Sequence, residues 1–377
     1  MIRLNNNNLI KFKNFGEKTY YISQSDDLHD KKITNIKTYK IYHEEEFLCV
    51  ICKKEYNKKS MIQFRSEERF FNHLIQIEKN NELLNNDDLI TKNFINIKHP
   101  YITNYFFLDK VKSELYIEFI NPGVDLFCIL EKYILNNSIK VKIIIELIKS
   151  VKYVNSLSVA HRDLKMENVL ISFSKNHNFN STQLIDFDSI KLCDFGLSFI
   201  CENNNEKDSR RCGSIPFCAP EIFKIDDYPL NVYKLDTWSL GIIIYVILFN
   251  DYPWGNGYLN NSKELYPNYK KYFELSKLFF IQTESINNNY IENINQEKNY
   301  YLDFENQFIY KNINLEKVII NKLLIVNKNI TIIDYLKELK NEYYSQFYVP
   351  FINFNFEERI YLKDFEIPQK WKNIVNN

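Results

Sequence analysis

The sequence predicts an α+β chain in two unequal parts, a small β-rich part followed by a larger, mainly helical one. Three observations carry this. Residues 1 to 60 alternate apolar and polar positions, the period of a half-buried strand. Residues 114 to 120, Glu-Leu-Tyr-Ile-Glu-Phe-Ile, give a strong strand signal that stops at Asn121-Pro122-Gly123. Beyond that break the pattern is mainly helical, with stretches near 126–135, 139–157, 219–224 and 235–249.

Within the first part, Tyr20-Tyr21-Ile22, Ile36 to Tyr42 and Phe47 to Lys53 read as strands, and Glu44-Glu45-Glu46 reads as a turn between the last two. Residues 65 to 98 are charged and helical in period, interrupted by Asn85-Asn86-Asp87-Asp88. Two Asn/Ser-rich stretches, Ser172 to Thr182 and Glu284 to Asn299, look like solvated insertions. No internal repeat is visible. The Pro-Gly break divides the chain into residues 1–120 and 121–377.

Composition narrows the function classes. The 377 residues carry 48 basic and 48 acidic side chains, so the net charge is zero. That argues against binding nucleic acid or an acidic membrane by bulk electrostatics. Hydrophobic residues at 45% and charged residues at 25% are ordinary globular values. The longest apolar run, Leu240 to Phe249, is too short to span a bilayer. The start, Met1-Ile2-Arg3-Leu4 and four asparagines, lacks the apolar core of a signal peptide. Seven scattered cysteines fit a reduced compartment, cytoplasmic or nuclear. Cys49 and Cys52 form a C-x-x-C on a strand, where their side chains face opposite ways. No calcium-loop pattern of the EF-hand kind occurs, and the six histidines show no metal-ligand spacing.

The chemistry concentrates in three segments. His161-Arg162-Asp163-Leu164-Lys165-Met166-Glu167-Asn168 precedes the apolar run Val169-Leu170-Ile171. Asp194-Phe195-Gly196 follows Ile190-Lys191-Leu192-Cys193, and Cys212-Gly213-Ser214 leads to Ala219-Pro220-Glu221. Short strands here place Asp163, Asn168 and Asp194 near one cleft. Asn and Asp oxygens are hard ligands suited to Mg²⁺, which takes phosphate oxygens as partners. A carboxylate not used by the metal can accept a hydroxyl proton, and the Lys165 ammonium can neutralise developing phosphate charge. Phosphoryl transfer needs those parts, because its catalysis is mostly positioning and electrostatics.

At these residues the sequence resembles the eukaryotic protein kinase superfamily, Ser/Thr type; Cys212-Gly213-Ser214 before Ala219-Pro220-Glu221, and Asp251-Tyr252-Pro253-Trp254 further on, look most like its calmodulin-dependent/SNF1-like group, and AGC kinases share similar strings. The resemblance spans about residues 18 to 371. It implies a two-lobed fold, a five-stranded antiparallel sheet with a helix and then a larger helical lobe. It implies ATP and Mg²⁺, with Asp163 as base, Lys165 on the phosphate, and Asn168 and Asp194 as metal ligands. It also implies Lys53, Glu118, Ile120, Asp125 and Leu170 at the nucleotide. Arg359 would pair with Glu221. Asp236 to Gly241 would open the buried helix that anchors the catalytic loop.

The small-lobe lysine has two readings. Val50-Ile51-Cys52-Lys53 favours Lys53, while Lys54 is the rival register because it puts small Cys52 at the apolar-small-apolar step. The helical glutamate that should pair with this lysine is not readable. Counting back from His99-Pro100 lands on Ile90, and Glu78, Glu82, Asp87 and Asp88 are candidates if the insertion is placed differently. No glycine lies between Tyr20 and Lys53. The place of the glycine-rich phosphate loop holds Asp26-Asp27-Leu28-His29-Asp30-Lys31-Lys32, whose side chains and carboxylates oppose close backbone approach to phosphate.

The resulting expectation is a protein serine/threonine kinase acting on protein substrates. The rival is a pseudokinase scaffold, kept open by the missing glycine loop. Asp125 and Glu167 favour a basic residue before the target hydroxyl, only modestly because a third acidic position reads Val246. Arg210 stands where regulated kinases carry a phosphothreonine. A phosphate on Ser209 would bridge Arg162 and Arg210, and Asp208 or Glu206 would do a weaker version unmodified. The excess length around residues 256–350 reads as an insertion that could dock a partner.

Overall fold

Alternating sequence in the first part produces a six-stranded antiparallel sheet. Its strands are β1 (Ile10–Phe15), β2 (Lys18–Gln24), β3 (Lys37–His43), β4 (Glu46–Glu55), β5 (Tyr105–Asp109) and β6 (Glu114–Glu118), in the order β1-β2-β3-β4-β6-β5. The computed structural model describes residues 10–15, 18–24, 37–43, 46–80, 99–120, 123–173, 186–202, 205–223, 229–250, 252, 346–348, 350–352 and 359–376. Five strands were expected, and six are present among these residues. The additional one is the edge strand β1, which pairs with β2 through Ile10↔Ile22 and Phe15↔Lys18. Its sequence Ile-Lys-Phe-Lys carries the strand alternation. The expected loop at Asp26 to Lys32 falls between β2 and β3 and lies outside the described residues, as do Glu82, Asp87, Asp88 and most of 256–350.

Helix α1 (Met61–Asn80) packs on the sheet through buried Phe64, Phe70, Phe71 and Leu74, a helical spacing. A 3₁₀ turn, Lys58–Ser60, leads into it and is capped by Asn57, whose Oδ1 accepts from the N–H groups of Lys59 and Ser60 at 2.9 and 3.2 Å. The Ser60 hydroxyl accepts from Asn57 N in return, closing a capping box.

The second part contains β7 (Gly123–Asp125), α2 (Leu126–Lys132), α3 (Asn137–Ser156), β8 (Val159–Ala160), β9 (Val169–Ser172), β10 (Ser189–Leu192), β11 (Phe199–Ile200), β12 (Lys207–Asp208), β13 (Leu230–Asn231), α4 (Val232–Phe249) and α5 (Gln369–Asn376). The predicted helix near 219–224 is a 3₁₀ turn, Pro220–Phe223. Strands pair as β10-β9-β7, β11-β8 and β12-β13. The two parts join where Thr103 N donates to Leu192 O (3.0 Å) and Leu192 N donates to Tyr101 O (2.8 Å).

Helix α4 supplies the centre of the core. It is apolar all round, and Leu235 to Leu248 are all buried. By length and composition it could cross a membrane, but 83% of it is buried inside the chain, as for a core helix. Side-chain capping by Asn231, which accepts from Lys234 N (3.1 Å), starts it. Asn250, in the left-handed region at φ 56, stops it. Gly241 lets residues 351–352 lie against it, since a Cβ there would meet Ile352 Cγ1 at 2.7 Å and Phe351 Cβ at 2.8 Å. Arg359 donates to both oxygens of Glu221 (2.5 and 3.0 Å), the pairing expected from the sequence. Its guanidinium also donates to Lys234 O (3.0 Å) and lies over the Trp238 ring.

Candidate active site

The segment from β8 to β9 is held from below by α4. The buried Asp236 carboxylate accepts from the backbone N–H groups of His161 (2.6 Å) and Arg162 (2.7 Å). Burial raises its pKa even against those bonds and the neighbouring positive charges. Arg162 adopts φ 66, a left-handed conformation costly for a side-chain-bearing residue, and this double anchor holds it there. His161 ties the segment to the next. Asp163 N donates to its Nδ1 (3.2 Å), so the ring proton sits on Nε2 and is donated to Cys193 O (3.0 Å).

This backbone presents Asp163, Lys165 and Asn168 together. Lys165 Nζ lies 3.0 Å from Asp163 Oδ2. Asn168 Nδ2 donates to Asp163 O (2.9 Å). Ser214 completes the group: its N–H and hydroxyl both donate to Asp163 Oδ1, at 2.8 and 2.7 Å. Its hydroxyl also accepts from Lys165 Nζ at 3.1 Å. Burial alone would lower the Lys165 pKa, but the charge and hydrogen bond of Asp163 raise it, so the ammonium stays charged.

A second cluster sits above the first. Lys54 Nζ donates to Asp194 Oδ1 (2.6 Å) and to Glu67 Oε1 (2.9 Å). Asp194, at φ 63, turns its carboxylate toward this lysine. Burial would raise the Asp194 pKa, yet Lys54 lowers it overall, so the group is ionised. For Lys54, burial opposes the charge but Glu67 and Asp194 raise its pKa well above the ordinary value. His161 ties the two clusters together, its ring bonded to Asp163 N on one side and to the carbonyl of Cys193, beside Asp194, on the other.

These contacts correct two readings from the sequence. Lys53 does not face the cleft. Its ammonium pairs with Glu55 (2.5 Å) and Glu114 (3.1 Å), away from Glu67 and Asp194. Successive strand residues point to opposite faces, so a one-residue slip decides everything. The deciding signal was Cys52: the small residue two positions back shares the face of Lys54. The partner glutamate is Glu67, outside the set considered. Glu78 instead has a buried oxygen with no partner among the described residues. The chain between α1 and His99 is long, so a spacing counted backwards from His99-Pro100 does not reach Glu67.

The remaining residues group at the sheet junction. Asp125 and Leu170 are register partners of β7 and β9. Asp125 also caps α2, accepting from Cys128 N at 2.8 Å. The Glu118 carboxylate is engaged by Lys191 Nζ (2.7 Å) and Asn104 N (3.2 Å), and its backbone N–H donates to Asn104 O (2.8 Å). Ile120 follows β6, half-buried.

A family model of the protein kinase domain matches residues 76–314, more than half of the chain. The chain belongs to the protein kinase family. Among curated relatives, it is 26% identical over 301 residues to serine/threonine-protein kinase Sgk1-A of Xenopus laevis, which covers 74% of this chain and 62% of that protein. It is 30% identical over 169 residues to serine/threonine-protein kinase kin-29 of Caenorhabditis elegans, covering 44% of this chain and 19% of that one. A probable serine/threonine-protein kinase of Encephalitozoon cuniculi is 30% identical over 152 residues, covering 40% and 26%. The chain therefore spans less than two thirds of each of these relatives. The matched region of the kinase domain begins inside α1, so Lys54 and Glu67 lie before it and rest on the geometry alone.

Proposed function

We propose that this chain is a Mg·ATP-dependent serine/threonine protein kinase, with Lys54 rather than Lys53 as the small-lobe lysine that holds the nucleotide phosphates. The observation that carries the reading is the joint placement of Lys54–Asp194–Glu67 and Asp163–Lys165–Asn168–Ser214 across one cleft. Each group is closed by its own ion pair, Lys54 with Glu67 and Asp194 in one and Lys165 with Asp163 in the other, and paired ionisable groups gathered in this way mark functional sites.

The donor set fits Mg²⁺. Asp194 commits one oxygen to Lys54, and its side chain is 42% exposed toward the cleft. Asn168 spends its amide N–H on Asp163 O, which orients its carbonyl oxygen away from that bond. Both are hard oxygen donors of the kind Mg²⁺ takes alongside phosphate. When bound, Mg²⁺ supplies charge neutralisation on the nucleotide phosphates.

The protein's own groups do the rest. Lys54 holds a positive charge beside Asp194, and Glu67 fixes where that charge points. Asp163 orients the incoming hydroxyl and accepts its proton. Lys165 keeps a full charge next to Asp163 for the transferred group. Asp125, Leu170 and the backbone of Glu118 and Ile120 line the nucleotide's other end. Asp125 and Glu167 lie close enough for the charge of one to act on the other, which supports a modest preference for Lys or Arg in the substrate. We place the lobe division at residues 1–120 and 121–377.

The test is direct. The full chain is incubated with Mg²⁺, labelled ATP and a mixture of Ser, Thr and Tyr peptides. Transfer to Ser and Thr that is lost in Lys54→Met supports the reading. Transfer that survives in Lys54→Met and is lost in Lys53→Met overturns the assignment of the lysine. No transfer under any condition overturns the reading as a whole.

A further inference from the structure

Glu67 is gripped from two strands. Lys54 of β4 donates to its Oε1 at 2.9 Å, and the hydroxyl of Tyr105 on β5 donates to its Oε2 at 2.5 Å. Among the described residues these are its donors. Glu67 and Tyr105 are both fully enclosed, at 1% and 2% exposure. The Tyr105 ring packs edge-on against Phe70 (5.4 Å) and Phe195 (6.5 Å), and Phe70 stacks flat on Phe195 at 3.9 Å. Phe195 in turn meets His161 at 4.7 Å. One residue thus joins the glutamate to an aromatic column ending beside Asp163.

We propose that Tyr105 is a positioning residue: its hydroxyl fixes the carboxylate of Glu67 so that the opposite oxygen is presented to Lys54. The terminal torsion of a glutamate is broad, so one hydrogen bond leaves the carboxylate free to swing. Two bonds from two strands of one sheet remove that freedom. An O–H···O⁻ bond this short is of the charge-assisted kind, about twice as strong as a neutral one. Without it, a buried carboxylate oxygen loses its donor, the expensive way to break a hydrogen bond. Burial already raises the Glu67 pKa, with Lys54 and the Tyr105 bond opposing it, so the group has little margin to lose a donor.

The proposal rests on the kinase reading, and its test separates the two. Tyr105→Phe keeps the ring in the column and removes only the hydroxyl. In the wild-type background it should lower kcat/KM for ATP by about tenfold, with the peptide KM unchanged. In a Glu67→Gln background the same change should cost less than about twofold, because the group it acts through is already altered. Equal losses in both backgrounds would mean that Tyr105 merely fills space, and the proposal would fall. A readout without turnover covers the case of no phosphate transfer: acylation of Lys54 by an amine-reactive ester, measured by mass spectrometry against Lys53 as internal reference. Tyr105→Phe should raise the Lys54 share severalfold, and an unchanged share would overturn the proposal whatever the activity.

Discussion

Asp208 should do the work expected of a phosphate. Its carboxylate bonds the Arg162 guanidinium and accepts from Arg210 Nε (2.9 Å) and Arg210 N (3.2 Å). The Arg162 side chain is 1% exposed and that of Asp208 13%, so this is a buried pair rather than a surface one. In Asp208→Ala the guanidinium stays buried with one acceptor left among the described residues, Arg210 O at 2.5 Å. Removing one partner of a buried pair costs about 3–5 kcal/mol, and the surviving carbonyl bond places this case near the lower end, about 3 kcal/mol. With the unfolding entropy of a chain of 377 residues, about 1–2 °C per kcal/mol, the melting temperature should fall by about 3–6 °C. Because Arg162 directly precedes Asp163, peptide phosphorylation should fall as well. Ser209 is exposed, and among the described residues only its backbone oxygen is engaged, by Arg211. Ser209→Ala should therefore change stability by no more than about 0.5 kcal/mol. The pH dependence has a definite sign. Burial would raise the Asp208 pKa, but the bonds and charges of Arg210 and Arg162 hold it below the ordinary value. Its contribution is thus complete above the unfolded value, about 3.9, and is lost only as pH falls through the lower folded value. A thermal melt of Asp208→Ala matching wild type, or a Ser209→Ala protein that is inactive, would refute the reasoning.

Other outcomes follow from the same contacts. Lys54→Met should reduce turnover by about 10²–10³-fold, while Lys53→Met, whose ammonium faces Glu55 and Glu114, should leave turnover within about threefold; steady-state kinetics on both variants checks this. Arg359→Ala strands the buried Glu221 carboxylate and should cost about 3–5 kcal/mol by denaturant unfolding, with no compensating change in m-value. Gly241→Ala forces a methyl into the backbone and side chain of Phe351 and Ile352, and should destabilise by about 1–3 kcal/mol in the same assay.

Much of this site was legible because its spacing is local. Asp163, Lys165 and Asn168 fall within one short segment, and Asp194 follows on the next hairpin, so the sequence alone brings them together. The helices α3 and α4 were readable from their apolar content, and Arg359 with Glu221 from the family resemblance. What failed depended on register or on long-range geometry. Lys53 and Lys54 differ by one strand position, and only the face of Cys52 distinguishes them. Glu67 is set by how α1 packs on the sheet, which no count from His99 encodes. Strand β1 lies inside the alternating stretch 1–60 but ahead of residue 18, where the family resemblance with its five strands begins. Asp208 was named only as a weaker substitute for a phosphate, since nothing in Asp-Ser-Arg-Arg says which side chain turns inward to Arg162. Tyr105 was invisible, because its hydroxyl matters only once Glu67 is placed.

The central claim is that Asp163, held by Ser214, Lys165 and Asn168, accepts the proton of a protein hydroxyl. The most direct measurement is kcat for Asp163→Asn on a Ser/Thr peptide at saturating Mg·ATP, with nucleotide affinity measured in parallel. The substitution keeps the size of the side chain and removes its basicity. The expected result is a drop of about 10²–10⁴-fold in kcat with nucleotide affinity nearly unchanged. A variant that phosphorylates the peptide as fast as wild type would contradict it.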